Sequence, residues 1–218
     1  MAKKSKATKK ASASAPPPRN AAIDAANSVQ DVMADFAAFA RFQRNGLDAQ
    51  ITNLHAKDIS ASMRDEIVRV FEANMKQLYE ESDWGYDAAA KRTELFEDDA
   101  RYLLAAAPSA EDGTELLGFV HFRFVEDDGA EVLYVYEIQI AAPAQRKGLG
   151  KLLMQLLTLV ARKHAMQLVV LTVFKRNVAA MRFYRETLGF QIDETSPSSH
   201  GDTTQSYEIL SKSVVKQR

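Results

Sequence analysis

The amino-acid sequence predicts an α/β domain, α+β in style with a mixed sheet, preceded by one additional helix. Three observations lead there. Apolar residues at helical spacing alternate with short runs rich in β-branched and aromatic residues along most of the 218 positions. Two Asp-Gly pairs, Asp112-Gly113 and Asp128-Gly129, separate strand-like runs as hairpin turns do. A glycine-bearing hexapeptide, Gln145-Arg146-Lys147-Gly148-Leu149-Gly150, then divides the last of those runs from a strongly apolar helical segment.

The elements follow in order. Residues 1–19 hold Lys3, Lys4, Lys6, Lys9, Lys10 and Arg19 among Ala, Ser and Pro, and read as a disordered basic tail because they cannot bury enough apolar surface to fold. The domain is expected over 20–213, with 214–218 as a C-terminal tail. Ile23, Val29, Val32, Met33, Phe36, Phe39 and Phe42 recur at helical spacing and predict an amphipathic helix over 21–44 that ends at Asn45-Gly46. Ser60 or Ser62 caps a helix running to about Glu81, with Ile67, Val70, Phe71, Met75 and Leu78 on one face. Asp83-Trp84-Gly85-Tyr86 interrupts it, and a short helix covers 87–97. Strands are predicted at 101–107, 116–125 and 131–141. The helix after the glycine loop spans about 148–164, with Leu149, Leu152, Leu153, Leu156, Leu157 and Val160 facing inward. Leu168 to Phe174 reads as a buried strand, Asn177 to Thr187 as a helix, and Phe190–Ile192 and Tyr207–Leu210 close the sheet.

Composition narrows the chemistry. The chain is 46% hydrophobic and 26% charged, as soluble globular domains are. No apolar run reaches the ~20 residues of a membrane span, and no secretory signal is expected near Met1. The absence of cysteine excludes disulfides, thiolate metal sites and an acyl-cysteine intermediate. His55, His121, His164 and His200 show no metal-ligand spacing, so no metal is expected. The net charge of −1 conceals an asymmetry: the first 19 residues carry six cations and no acid, leaving −7 for the rest. An acidic body suits a cationic partner.

The hexapeptide carries the most specific signal. Gly148 and Gly150 remove Cβ atoms that would keep a ligand from the backbone. Their N–H groups, with those of Lys147, Leu149 and Lys151, can converge on an anion at a helix N-terminus, with Arg146, Lys147 and Lys151 adding charge. A nucleotide P-loop would need glycine at Gln145 and Ser or Thr at Leu152, and a dinucleotide fingerprint would need glycine at Leu153. The remaining pattern, Gln-x-x-Gly-x-Gly, resembles the coenzyme A loop of the GNAT acetyltransferase superfamily. Tyr134-Val135-Tyr136-Glu137-Ile138-Gln139-Ile140 before it, and Thr172-Val173-Phe174-Lys175-Arg176-Asn177, Ala180, Phe183-Tyr184 and Leu188-Gly189-Phe190 after it, resemble the rest of that superfamily's core. Tyr79-Glu80-Glu81-Ser82-Asp83-Trp84-Gly85, Ser196-Pro197-Ser198 and Ser206-Tyr207-Glu208-Ile209-Leu210 resemble the N-terminal acetyltransferase D family in particular.

That resemblance implies a GNAT acyl-CoA N-acyltransferase fold, acetyl-CoA as donor, and the α-amine of histone 4 and histone 2A tails beginning Ser-Gly-Arg-Gly as acceptor. It also implies a monomer of nucleus and cytoplasm, with no membrane and no required nucleic-acid contact; association with ribosomes or nascent chains stays open. Cofactor contacts fall on Ile138, Gln139, Ile140, Gln145, Arg146, Lys147, Gly148, Leu149, Gly150, Lys151 and Asn177. Glu137 is the candidate base and Tyr184 the candidate acid. Tyr79, Trp84, Asp127, Tyr134, Tyr136, Thr172, Thr195 and Tyr207 are candidate substrate contacts, Asp127 with its neighbours Glu126 and Asp128 for the tail arginine. Val125 departs from the family pattern, standing where a second acid can occur. The chemistry is independently reasonable. A peptide α-amine has a pKa of ~7.7–8.0 against ~10.4 for lysine, so near neutral pH roughly a quarter of α-amines but about one lysine in a thousand are neutral nucleophiles. Strand alternation sets Tyr134, Tyr136 and Ile138 on one face and Val135, Glu137 and Gln139 on the other, so a shared pocket calls for a β-bulge near the loop. Two other functions remain open from the residues: acetylation of lysines or small amines, and a non-catalytic acyl-CoA or chromatin-binding module.

Overall fold

Tight turns set how the sheet begins. The computed structural model describes residues 20–108 and 114–215; the basic tail 1–19 and the Asp112-Gly113 turn lie outside them. Asn45 (φ 52°) and Gly46 (φ 74°) both occupy the left-handed region, the requirement of a two-residue hairpin whose twist matches its strands. They join β1 (Arg41–Arg44) to β2 (Leu47–His55), with Arg44 opposite Leu47. The expected helix over 21–44 is therefore corrected. Only Ala21–Ser28 is α-helical (α1), two 3-10 turns over Ala34–Phe39 meet at a kink at Phe36, and Phe42 already belongs to the sheet. Val32, Met33 and Phe42 are buried as their spacing implied, but from separate elements. What stops α1 comes from far along the chain. The fully buried Arg101 donates to the carbonyls of Asn27 (2.7 Å) and Val29 (2.7 Å), satisfying oxygens that further helical turns would have used.

The remaining strands are β3 (Arg101–Pro108), β4 (Thr114–Asp127), β5 (Ala130–Ile140), β6 (Leu168–Phe174), β7 (Gln191–Ile192) and β8 (Tyr207–Ser213). They form one eight-stranded sheet in the order β1-β2-β3-β4-β5-β6-β8-β7. Every pairing is antiparallel except β5 with β6. On one face lie α2 (Ala61–Glu80), capped by Ser60, and α3 (Ala88–Leu95), capped by Asp87. There Ile67, Val70, Phe71 and Leu95 cluster with Tyr102, Leu104 and Phe119. On the other face, α1 and α4 (Leu149–Lys163) cover Val120, Phe122, Leu133 and Val135. After β6 comes α5 (Val178–Arg182), which continues as a π-helical turn over Phe183–Thr187. Among the described residues no helix is long and apolar enough to cross a membrane. Val214, first residue of the expected C-terminal tail, instead belongs to the core: it is buried, and its N–H donates to the Gln167 carbonyl (3.0 Å).

Two irregularities in β5 position everything that follows. Its register against β4 slips between His121 and Phe122, so that Tyr136 becomes an extra, bulged residue between Val135 and Glu137. Its parallel pairing with β6 covers only Val132–Val135 against Leu168–Leu171, after which both strands continue but part.

Arg101→Leu should destabilise the protein by about 1–3 kcal/mol, since it takes the donors from the partly buried carbonyls that end α1. Urea unfolding checks this, and an unchanged midpoint would show that α1 does not depend on that guanidinium.

Candidate active site

Where β5 and β6 part, a cavity of about 990 Å³ opens, walled by Tyr134 to Ile140 on one side and Leu171 to Phe174 on the other. β4 runs flush beneath the free end of β5 because Gly118 has no side chain. A Cβ there would stand 2.7 Å from Ile140 Cδ1 and 2.9 Å from the Gln139 carbonyl oxygen. Side-chain amides take the carbonyl that the missing strand leaves: Asn74 on α2 (3.1 Å) and Gln145 (3.0 Å) both donate to Ile140 O.

The glycine loop closes one end of the cavity. Arg146 (φ 61°) and Gly148 (φ 97°) both adopt left-handed backbone, and α4 starts directly after Gly148 with no side-chain cap. Its first N–H groups are thus left to an anion, assisted by the helix dipole and by the Arg146 and Lys151 side chains on the cavity wall. A Cβ at Gly150 would stand 3.6 Å from Ile140 Cγ1 and 3.7 Å from Phe183 Cζ, in ordinary contact with the wall but inside the space a ligand needs. The β1–β2 hairpin buttresses the loop from behind, with Asn45 Nδ2 donating to Lys147 O (2.9 Å).

Glu137 lies past the bulge, 6% exposed yet on the cavity wall. Its Oε1 pairs with Lys91 Nζ (2.7 Å) and its Oε2 accepts from Gln139 Nε2 (2.8 Å). Gln139 is oriented in turn by Asn74 Nδ2, 3.1 Å from its Oε1. Beside this carboxylate Tyr184 is buried, and burial first, then the Glu137 charge, pushes its phenol well above the usual tyrosine value. Tyr184 therefore keeps its proton throughout the neutral range.

Aromatic rings wall the opposite end. Trp84 meets Phe174 (5.1 Å between centroids), Tyr207 (5.1 Å) and Tyr79 (6.1 Å), and Tyr79 meets Phe174 edge-on (5.0 Å). Tyr134 OH and Thr172 Oγ1 lie 2.7 Å apart where β5 and β6 part, Thr172 being the first residue of β6 beyond the paired stretch. Burial, followed by the Glu137 charge, pushes Tyr79 up to about 12, and burial likewise pushes Tyr134 up to about 12. Tyr136 is held between His121 (4.9 Å, stacked) and the Arg123 guanidinium (4.3 Å above its ring).

Residues 63–190 match the acetyltransferase (GNAT) family, a span of more than half the chain. This chain belongs to that family. GNAT acetyltransferases use acetyl-CoA as donor. Solved structures share the fold. Arabidopsis thaliana NAA60, in complex with a bisubstrate analogue, is 14% identical over 75% of this chain and 99% of its own, with a TM-score of 0.56. The PaiA N-acetyltransferase of Thermoplasma acidophilum, in complex with coenzyme A, is 18% identical over 77% of this chain and 99% of its own, at 0.53. Ard1 from Thermoplasma volcanium is 16% identical over 76% of this chain and 99% of its own, at 0.51.

The GNAT cavity fits acetyl-CoA on its own geometry. The uncapped start of α4 with Arg146 and Lys151 suits the pyrophosphate, and the unladdered edge of β5 from Tyr136 to Ile140 can pair with the amide-bearing arm. Ile138, Gln139, Ile140, Gln145, Arg146, Gly148, Gly150, Lys151 and Asn177 all line the cavity. Asn177 also caps α5, its side chain accepting from Ala180 N–H (3.1 Å). Leu149 and Lys147 do not line it: the Leu149 side chain is core, so only its backbone can serve. Of the expected substrate residues, Tyr79, Trp84, Tyr134, Tyr136 and Thr172 line the cavity, and Tyr207 reaches it through Trp84. Asp127 and Thr195 stand apart, and the Thr195 hydroxyl is committed to Asp193 Oδ1 (2.6 Å). Sequence reasoning missed Asn74, Lys91, Glu94 and Phe174 as site residues. Phe174 ends the buried strand Leu168–Phe174 and reads as core, and Lys91 sits in an Ala-rich helical stretch without any local mark of burial.

Gly150→Ala should leave the thermal midpoint within about 2 °C, because its Cβ meets only ordinary contacts, yet weaken acetyl-CoA binding about tenfold or more. Calorimetric titration checks this, and unchanged affinity would remove the ligand from that cradle.

Proposed function

We propose that this GNAT enzyme acetylates the α-amine of peptides with a small first residue, its substrates being histone 4 and histone 2A tails that begin Ser-Gly-Arg-Gly. The carrying observation is the aromatic-walled chamber formed by Tyr79, Trp84, Tyr134 and Phe174, which meets the coenzyme cleft at Glu137. Aromatic rings of this kind pack against a small first residue while their polar tips supply hydrogen bonds to its backbone. Acting on such substrates, the enzyme would work in nucleus and cytoplasm.

Bound acetyl-CoA supplies the thioester carbonyl that the amine attacks. Glu137 accepts the proton that the amine loses, directly or through one water, using lone pairs that Lys91 and Gln139 leave unoccupied. A backbone N–H near Ile138, on the unladdered edge of β5, would stabilise the negative charge that develops on the thioester oxygen. Tyr184, held protonated on the cavity wall, would supply a proton to the departing sulfur. The chain holds no cysteine, which favours direct transfer over an acyl-enzyme. Asp127 is the acid for the third-position arginine. Burial, then Asp193 and Asp128, hold its carboxyl above the ordinary aspartate value, and an arriving guanidinium relieves that repulsion.

The test is acetyl transfer to a Ser-Gly-Arg-Gly-Lys-Gly peptide beside the same peptide with its α-amine blocked, with the added acetyl located by mass spectrometry. Modification of the free terminus alone is expected; lysine acetylation on the blocked peptide would replace this substrate with a lysine. Binding of both ligands without product would make the chain a non-catalytic module. Glu137→Gln should lower kcat by about 10²–10⁴-fold, and a near-wild-type rate would remove it as the base.

A further inference from the structure

The Lys91 ammonium is only 6% exposed, lies on the cavity wall, and spends all three of its N–H donors on the site. They go to Glu137 Oε1 (2.7 Å), Glu94 Oε1 (2.6 Å) and the Tyr79 hydroxyl (3.1 Å), while the Phe71 and Tyr79 rings lie 4.8 and 5.2 Å from Nζ. The charge is thus fully coordinated. Burial works to pull the ammonium down, but Glu137, Tyr79 and Glu94 together hold it above the ordinary lysine value, so it stays a cation at every working pH.

We propose that Lys91 determines the amine specificity of this site: by pairing with Glu137 it removes the counter-charge that would draw in protonated amines, so the site admits amines that are already neutral. The inference rests on the reading of Glu137 as the group that faces the acceptor. A substrate ammonium entering the chamber gives up its hydration and meets a carboxylate whose charge is already matched, with a second cation directly behind it. A neutral amine meets the same carboxylate as a hydrogen-bond acceptor and gives up far less. Selection for neutrality is selection for α-amines, since lysine side chains are almost wholly protonated near pH 7. Lys91, its three donors already committed, acts on the substrate through Glu137 as a positioning residue.

The groups facing this pair are Tyr79 from α2, Glu94 from α3, Tyr102 from β3, His121 and Arg123 from β4, Tyr136 beside it on β5, and Tyr184 after α5. Burial raises all four phenols above the usual tyrosine value. His121 is lowered well below the usual histidine value by burial, then by Arg123 and Lys91. None of these tyrosines, nor His121, titrates between pH 6.5 and 8.5. The substrate's own amine does.

The experiment measures kcat and KM for the Ser-Gly-Arg-Gly-Lys-Gly peptide at saturating acetyl-CoA from pH 6.5 to 8.5, for wild type, Lys91→Gln and Lys91→Arg. In wild type KM should fall about 15-fold across that range as the α-amine deprotonates, with kcat nearly level. Lys91→Gln keeps donors for the carboxylate but loses the charge. Its KM should change less than about threefold, the pH dependence should pass to kcat, and lysine acetylation of the blocked peptide should rise about tenfold relative to wild type. Lys91→Arg should keep the wild-type pattern. A wild-type KM that stays flat while kcat climbs overturns the proposal, and so does a Lys91→Gln profile matching wild type. If Lys91→Gln does not fold, Lys91→Met, which fills the same space without the charge, takes its place with the same expected shift of pH dependence from KM to kcat. Failure of the underlying reading shows up separately, as a near-wild-type Glu137→Gln rate or as wild-type acetylation of the blocked peptide.

Discussion

The parting of β5 from β6 is the constraint on which the rest of this structure depends. Backbone N–H and C=O groups in a sheet interior are normally paired, because leaving them buried and alone costs free energy comparable to a lost hydrogen bond. Here two neighbouring strands give up their ladder after four residue pairs, although both continue. The fold keeps them apart by occupying the gap's edges: Asn74 and Gln145 amides take the Ile140 carbonyl, and Phe174 turns its ring into the aromatic cluster of α2 and Trp84. What remains along Tyr136 to Ile140 is hydrogen-bonding capacity addressed to a ligand. The parallel pairing itself demands a crossover, and α4 supplies it, so the helix N-terminus that binds anions necessarily emerges at the mouth of the same gap.

The bulge at Tyr136 solves a second geometric problem. In a regular strand Tyr136 and Glu137 would point to opposite faces, yet both line the cavity. The extra residue re-aims the chain over one step and brings the acid to the cofactor side. It also places Tyr136 against His121 and Arg123, a stack that continues to Tyr102 (5.2 Å from His121) and locks the bulge from beneath. His121 is thereby explained as a buried neutral ring in an aromatic column.

A polar chain from Asn74 through Gln139, Glu137 and Lys91 to Glu94 ties β5 to both helices on one face of the sheet. Removing one member of a buried ion pair typically costs several kcal/mol, because the other charge is left unmatched. The network therefore serves the fold and the chemistry with the same contacts. It holds α2 and α3 over the cleft while setting the charge that an incoming amine meets.

Local signals in the sequence determined a great deal. The Ser60 cap (one of the two serines offered for α2), the apolar faces of α2 and α4, the Asp128-Gly129 turn and the span of β6 all rest on contacts within a few residues, and the structure has them where the sequence places them. The hexapeptide announced an anion site because glycine spacing before a helix is itself a local geometry. Beyond that reach the sequence was silent or misleading. Asn45-Gly46 suits a helix end and a hairpin equally, and only the pairing of β2 with β3, fifty residues away, makes it a hairpin. The end of α1 is decided by Arg101, more than seventy residues on. The register slip at Tyr136 depends on how β4 lies beside β5, and the burial of Lys91 on where Glu137 arrives. Propensity and periodicity act along the chain, whereas register, splay and ion pairing are settled between segments, and it is between segments that this site was made.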